Sequence, residues 1–318
     1  MNLLVTGGCG FIGSNFIKLA LEKGEVDHLV NVDKMTYAAD SKNTEEFEGQ
    51  AKYSHENFCL TDYDRFWEVC KHNDITDVVH FAAETHVDNS IKGSRVFIQS
   101  NVVATHSILE TCKDRDIRLH HISTDEVYGE VLGLERFTEN SHYNPKNPYS
   151  ATKAASDFLV KSYVNTHELR ATISNCSNNY GPNQHDEKLV PTVIRHLLKN
   201  ELVPVYGKGE NVRDWIYVDD HCSAIWTILK NGRIGQTYLV GADAERTNLQ
   251  TICSICSLMD KMMSESVKFI EDRAGHDLRY AIDGSKLRDE LGWKPNYTFL
   301  GGMSETITYY KKKYNLLL

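Results

Sequence analysis

An α/β fold built on a doubly wound parallel sheet is what this 318-residue chain predicts. Three observations lead there. Short apolar runs alternate with helical stretches through the first half. The first of those runs ends in a glycine turn that opens a helix. After about residue 175 the alternation gives way to loops rich in Asn, Gly and charge. Strands alternating with helices imply a parallel sheet covered on both faces, and the irregular half reads as a smaller α/β lobe that holds a substrate. The expected division is 1–175 for the sheet domain and 176–318 mostly for the second lobe, with later segments rejoining the first.

Taken in order, Asn2 to Thr6 is an apolar run closed by glycines, and Phe11 to Leu21 has helical periodicity. A second strand, His28 to Asp33, ends on an acid. Val78 to Ala82, Leu119 to Ser123 and Ala171 to Asn175 follow, each after a helical stretch. Between the first strand and its helix stands Thr6-Gly7-Gly8-Cys9-Gly10-Phe11-Ile12-Gly13. Glycines at 7, 10 and 13 permit a tight turn and let backbone N–H groups approach a pyrophosphate at a helix N-terminus. Asp33, about twenty residues on, is placed to accept hydrogen bonds from ribose hydroxyls. Together these make the sheet domain Rossmann-type and its ligand a dinucleotide. The carboxylate favours NAD, because a 2′-phosphate would meet a negative charge; Lys34 beside it pulls the other way.

Composition narrows the class. Hydrophobic content of 41%, charge of 25% and six prolines are ordinary for a globular chain. A net charge of −9 argues against a nucleic-acid-binding protein, yet leaves room for an anionic small molecule held by a local cluster of cations. Eight scattered cysteines, most in apolar contexts, read as reduced thiols of a cytoplasmic protein. Cys253 and Cys256 have CxxC spacing without a second pair, so no metal site is expected. No apolar run approaches the roughly 18 residues needed to span a membrane, and the N-terminus lacks the basic start of a signal peptide.

The chemistry concentrates between His120 and Lys153. Tyr149 and Lys153 are four apart at the head of an Ala-rich helix, so both lie on one face. For Tyr149 to act as a base near neutrality its phenol must drop by about three pH units, roughly 4 kcal/mol. An ammonium one turn away and a positive nicotinamide ring are the expected sources. Thr124, Asp125 and Glu126 follow an apolar strand and supply a hydroxyl and two carboxylates.

The glycine loop, Asp33 to Tyr37, His80 to Asp88, Ser123 to Gly129 and Tyr149–Lys153 resemble the nucleotide-sugar 4,6-dehydratases of the extended short-chain dehydrogenase/reductase family. The likeness continues through Cys176 to Pro182, Glu187 to Pro191, Val205 to Gly207, Asn211 to Trp215 and Gly275 to Asp277, and covers nearly the whole chain. It implies a hydro-lyase that keeps NAD bound and converts a nucleoside-diphosphate glucose, dTDP-glucose favoured over UDP-glucose, to its 4-keto-6-deoxy form. The implied roles are these: Tyr149 takes the C4 hydroxyl proton, Thr124 hydrogen-bonds that oxygen, and Lys153 holds the nicotinamide ribose. Glu126 removes the C5 proton and protonated Asp125 serves the departing C6 hydroxyl. The adjacent Asp-Glu pair is what separates dehydratases from related 4-epimerases and decarboxylases, which remain the alternatives along with a non-catalytic NAD sensor.

The same likeness implies further cofactor contacts from Phe11, Ile12, Lys34, Thr36, Cys59, Leu60, Ala82, Ala83, Ser100 and Ser177. For the substrate it implies His86, Asn179, Glu187, Lys188, Leu189, Tyr206, Arg213, Asn248, Arg273 and His276. Arg213 and Arg273 are the strongest phosphate ligands of that set, because guanidinium forks match a diphosphate. The chain departs from the family pattern at Cys59, Asn89, Ser100 and Asn183 to Asp186. Family members commonly pair through two long helices each, so a homodimer is expected on Val96–Lys113 and Tyr149–His167.

Overall fold

A computed structural model describes residues 1–131, 133–272 and 277–315. The first lobe is a parallel sheet of seven strands. In chain order its members are β1 (Asn2–Thr6), β2 (His28–Val32), β3 (Tyr53–Glu56), β4 (Asp77–His80), β5 (Arg118–Thr124) and β6 (Ala171–Cys176). Between β6 and the last member come β7 (Asn178–Tyr180), β8 (Val203–Tyr206) and β9 (Val212–Tyr217) of the second lobe, and then β10 (Thr237–Val240) completes the sheet. The spatial order is β10-β6-β5-β4-β1-β2-β3. The order reverses between β1 and β4, and in such sheets the crevice outside the carboxyl ends at this point is where ligands bind.

Both faces of this sheet are covered, and the strand pleat shows how. Leu3 and Val5 of β1 face one core with Phe16, Ile17 and Ala20 of the Phe11–Glu22 helix and Cys222, Ile225 and Trp226 of the Val218–Asn231 helix. Leu4 faces the other, with Phe66, Ile108, Leu109 and Val160 from three further helices. Strands buried on both sides read as unbroken apolar runs, which is why five of the seven were legible. Two were not. Tyr53-Ser54-His55-Glu56 is a polar strand at the sheet edge, and β10 arrives from within the irregular half. The ends of β1 are as expected, those of the other four strands differ by at most two residues, and Asp33 lies just beyond β2.

The second lobe packs β8 and its parallel partner β12 (Val267–Ile270), and the strands β7, β9 and β11 (Glu245–Thr247), against three helices. Its core joins Val193, Ile194 and Leu197 of the Leu189–Leu198 helix, Ile252 and Ile255 of the Asn248–Leu258 helix, and Met303, Ile307 and Tyr310 of the Phe299–Asn315 helix. Among the described residues no helix is long and apolar enough to cross a membrane.

Candidate active site

The cleft at the carboxyl ends begins at the glycine turn. Gly7 has φ +71°, and a Cβ there would stand 2.8 Å from the Ala82 Cα, so the turn lies hard against the chain leaving β4. A Cβ on Gly13 would run into the Gly7 carbonyl. The turn therefore stays thin and leaves the N-terminus of the Phe11–Glu22 helix accessible. Asp33 is buried beside it, its carboxylate accepting N–H groups of Cys9 at 3.0 Å and Met35 at 2.9 Å. Burial pushes its pKa up while those two bonds restrain the rise. The Lys34 ammonium donates to Ser100 Oγ at 2.7 Å.

Gly7, Gly10, Phe11, Ile12, Gly13, Asp33, Lys34, Thr36, Cys59, Leu60, Ala82, Ala83, Ser100, Tyr149, Lys153 and Ser177 all line this one cleft. Its volume is about 320 Å³, within the roughly 300–1,000 Å³ usual for a small-molecule site. The residues present fit a dinucleotide. The glycines make the cradle, Asp33 retains lone pairs for a ribose, and the buried Ser177 Oγ has no partner among the described residues.

Thr124 closes β5, and Asp125–Tyr128 make one 3₁₀ turn. Gly129 ends that turn at φ +78°, where a Cβ would strike the Asn144 carbonyl. Thr124 Oγ1 accepts the Glu126 N–H and donates to Asp125 Oδ1, both at 3.3 Å. Asp125 is 3% exposed and its Oδ2 is buried with no partner among the described residues. Burial, then the Glu126 and Asp214 charges, push its carboxyl up to about 8 against the opposing pull of Arg213. Glu126 is also raised by burial, but Arg213, Lys188 and a hydrogen bond from Asn147 all favour its charged form. The two adjacent carboxyls thus sit in different surroundings, one suited to keep a proton and the other to lose it.

Tyr149 and Lys153 are carried by the Pro148–His167 helix, whose first turn is fixed by a reciprocal cap between Asn147 and Ser150. Lys153 is buried, donates from Nζ to the Ile122 carbonyl at 2.7 Å, and is lowered to about 8 by burial. Burial, then the Glu126 charge, push the Tyr149 phenol well above its ordinary value; among its neighbours the Thr124 hydroxyl is the group that lowers it. The Lys153 ammonium gives one of its three N–H donors to the strand carbonyl and is not among the charges that act most on Tyr149.

A family model described as GDP-mannose 4,6 dehydratase matches residues 4–306. The dTDP-glucose 4,6-dehydratase of Mycolicibacterium smegmatis is 48% identical over 98% of this chain and 93% of its own length. This chain belongs to the 4,6-dehydratase family. Among solved structures, the dTDP-glucose 4,6-dehydratase DesIV of Streptomyces venezuelae, with NAD bound, superposes with a TM-score of 0.95 at 38% identity, covering 99% of this chain and 98% of that one. The UDP-glucuronic acid 4-epimerase of Bacillus cereus reaches 0.92 at 26% identity, covering 99% and 100%. Dehydratase and epimerase share the fold, so the fold does not choose between them.

In this 4,6-dehydratase family member the expected substrate residues fall into two groups. Thr124, Asn179, Glu187 and Lys188 line the cleft. Asn179 is oriented by His221 Nδ1 at 2.8 Å and by its own bond to the Ser177 carbonyl at 3.0 Å. His86 Nε2 stands 3.4 Å from Glu187 Oε2, and His185 approaches the same oxygen at 3.6 Å. The second group stands apart from the cofactor cradle, on the second lobe. Leu189 opens one helix and packs on that lobe's core, Asn248 opens another, and Tyr206 ends β8. Arg213 is buried over the Tyr280 ring at 4.4 Å, and three of its five N–H donors go to the carbonyls of Val212, Leu278 and Asp277. The other two have no hydrogen-bond partner among the described residues. Arg273 and His276 lie outside the described residues. Sequence reasoning missed Gln184 and His185 in the lining, Asn147 at the cap of the catalytic helix and Asp157 on its buried face. Asp157 had a signal, since it lies one helical turn beyond Lys153 on the same face.

Proposed function

We propose that this chain is an NAD-dependent nucleoside-diphosphate-glucose 4,6-dehydratase, with dTDP-glucose favoured over UDP-glucose. The observation that carries the reading is the adjacent pair of buried Asp125 and half-buried Glu126, lining with Tyr149 the cleft that also contains the glycine cradle. The identity to curated dTDP-glucose 4,6-dehydratases supports the choice of base. Bound NAD supplies the acceptor for the C4 hydride and the hydride that later reaches C6. Tyr149 takes the C4 hydroxyl proton, with Thr124 hydrogen-bonded to the same oxygen. Lys153 faces the nicotinamide ribose. The ketone made at C4 acidifies the C5 proton, which Glu126 removes and which is restored to C5 when C6 receives hydride. Asp125, still protonated near neutrality, gives its proton to the hydroxyl leaving C6. The positive charge that Tyr149 needs to ionise comes from the bound nicotinamide ring acting with Lys153.

The working unit in this reading is a homodimer of the cytoplasm. Val96, Ile98 and Phe158 are 46–58% exposed on the two helical stretches expected to pair, and exposed apolar side chains of that kind mark a contact surface. The deciding experiment incubates purified protein with dTDP-glucose and UDP-glucose separately and follows mass loss of one water together with keto formation. Water loss from dTDP-glucose is expected. A 4-epimer with no loss of water from either sugar would favour the epimerase reading instead.

A further inference from the structure

Asp157 is fully buried on the helix that carries Tyr149 and Lys153, and the steps above give it no task. One turn separates it from Lys153, so the two side chains share a face. They grip adjoining residues of β5. Lys153 holds the Ile122 carbonyl, and Asp157 Oδ2 accepts the Ser123 hydroxyl at 2.8 Å. Asn175 of β6 then donates both to Asp157 Oδ2 at 3.2 Å and to the Thr124 carbonyl at 3.0 Å. Tyr143 donates to Oδ2 at 2.9 Å, and His121 Nε2 stands 3.3 Å from Oδ1. The carboxylate is thereby tied to the last two residues of β5, immediately ahead of the Asp125–Glu126 turn.

Charge gives this geometry a purpose. Burial holds His80 and His121 neutral at ordinary pH, His121 falling to about 4. Burial likewise keeps Tyr128 and Tyr143 protonated and raises Cys176 to about 12. Lys161, on the same helix, also feels the carboxylate but reaches toward Tyr143. Lys153 is therefore the buried cation left to balance Asp157. Burial alone would raise Asp157; the His121 contact, Lys153 and the Ser123 hydroxyl bring it below its ordinary value. An ammonium this deep is costly without a partner.

We propose that Asp157 is a positioning residue, the buried counter-charge that keeps Lys153 an ammonium and holds the Thr124–Glu126 turn in register with the catalytic helix. This rests on the dehydratase reading, because its readout is the oxidation half of that reaction. The test uses the full chain loaded with NAD and follows NADH formation on mixing with dTDP-glucose, as a function of pH. In Asp157→Asn the alkaline limb of that rate moves down by about one pH unit, while KM for the sugar stays within about twofold. Asp125 serves elimination rather than oxidation, so its titration does not move this limb. A folded variant whose limb stays at the wild-type pH overturns the proposal. A double-variant cycle covers the case in which Asp157→Asn alone does not fold. Lys153→Met/Asp157→Asn removes both charges, and it is expected to melt no lower than Lys153→Met. Simple addition of the two losses overturns the pairing. If wild-type protein converts neither sugar, the dehydratase reading fails, and the melting cycle still decides whether Asp157 and Lys153 are a pair.

Discussion

At the scale of single residues, the two carboxyls of the 3₁₀ turn do opposite jobs and should fail differently. Glu126→Gln keeps the oxidation site intact, so NADH accumulates when substrate is added, while water loss falls about 10²–10⁴-fold, the usual worth of a general base. Full elimination by that variant would take Glu126 out of its role. Asp125 carries a stability signature as well. Folded, it keeps its proton up to about 8; unfolded, it releases it near 3.8. Folding is therefore penalised increasingly as pH rises through that window. Asp125→Asn removes the penalty. Its melting temperature relative to wild type should be unchanged below pH 4 and should climb toward pH 8, while elimination is lost. A gain that is flat with pH would mean that Asp125 is already ionised at neutrality. Residue types and spacing sufficed to pick out Asp125, Glu126, Tyr149 and Lys153, because their chemistry is local to two short stretches. What Lys153 and Arg213 bond to was not legible. Those partners are carbonyls of Ile122, Asp277 and Leu278, and a backbone carbonyl leaves no mark on composition.

At the scale of elements, the catalytic helix owes its start to Asn147. Its side chain accepts the Ser150 N–H at 2.9 Å and also hydrogen-bonds Glu126, so one residue caps the helix and steadies the base. Asn147→Ala should cost about 1 kcal/mol in denaturant unfolding, the common worth of such a cap. It should also slow water loss more than NADH formation. Equal slowing of both steps would leave Asn147 only its cap. The neighbouring helical stretch holds the element that periodicity did not reveal. Ile98–Val103 forms a widened π turn between Arg95–Phe97 and Ala104–Asp114. Within it Ser100 meets Lys34, while Asn101 bonds both the Glu84 carbonyl and Thr152. The flanking residues keep ordinary helical spacing, so a single widened turn is hidden from a search for 3.6-residue periodicity.

For the whole molecule, the exposed apolar side chains on these two helical stretches predict an assembly that one charge should undo. Phe158→Arg is expected to sediment as a monomer where the wild-type chain sediments as a dimer. A wild-type monomer at micromolar concentration would remove the proposal. The fold class was legible because strands covered on both faces advertise themselves, and the second lobe was not, because its strands are short and its partners distant. β12 pairs with β8, more than sixty residues earlier.

The place of β10 matters while the chain is being made. β6, Ala171-Thr172-Ile173-Ser174-Asn175-Cys176, leaves the ribosome about sixty residues before the strand that covers its outer edge. At roughly 5–20 residues per second that edge is bare for about 3–12 s. A bare edge of unpaired N–H and C=O groups invites pairing with another nascent chain. Ribosome-bound chains stopped near residue 231 should therefore recruit chaperones and clump when released, and chains stopped well past residue 240 should do so far less.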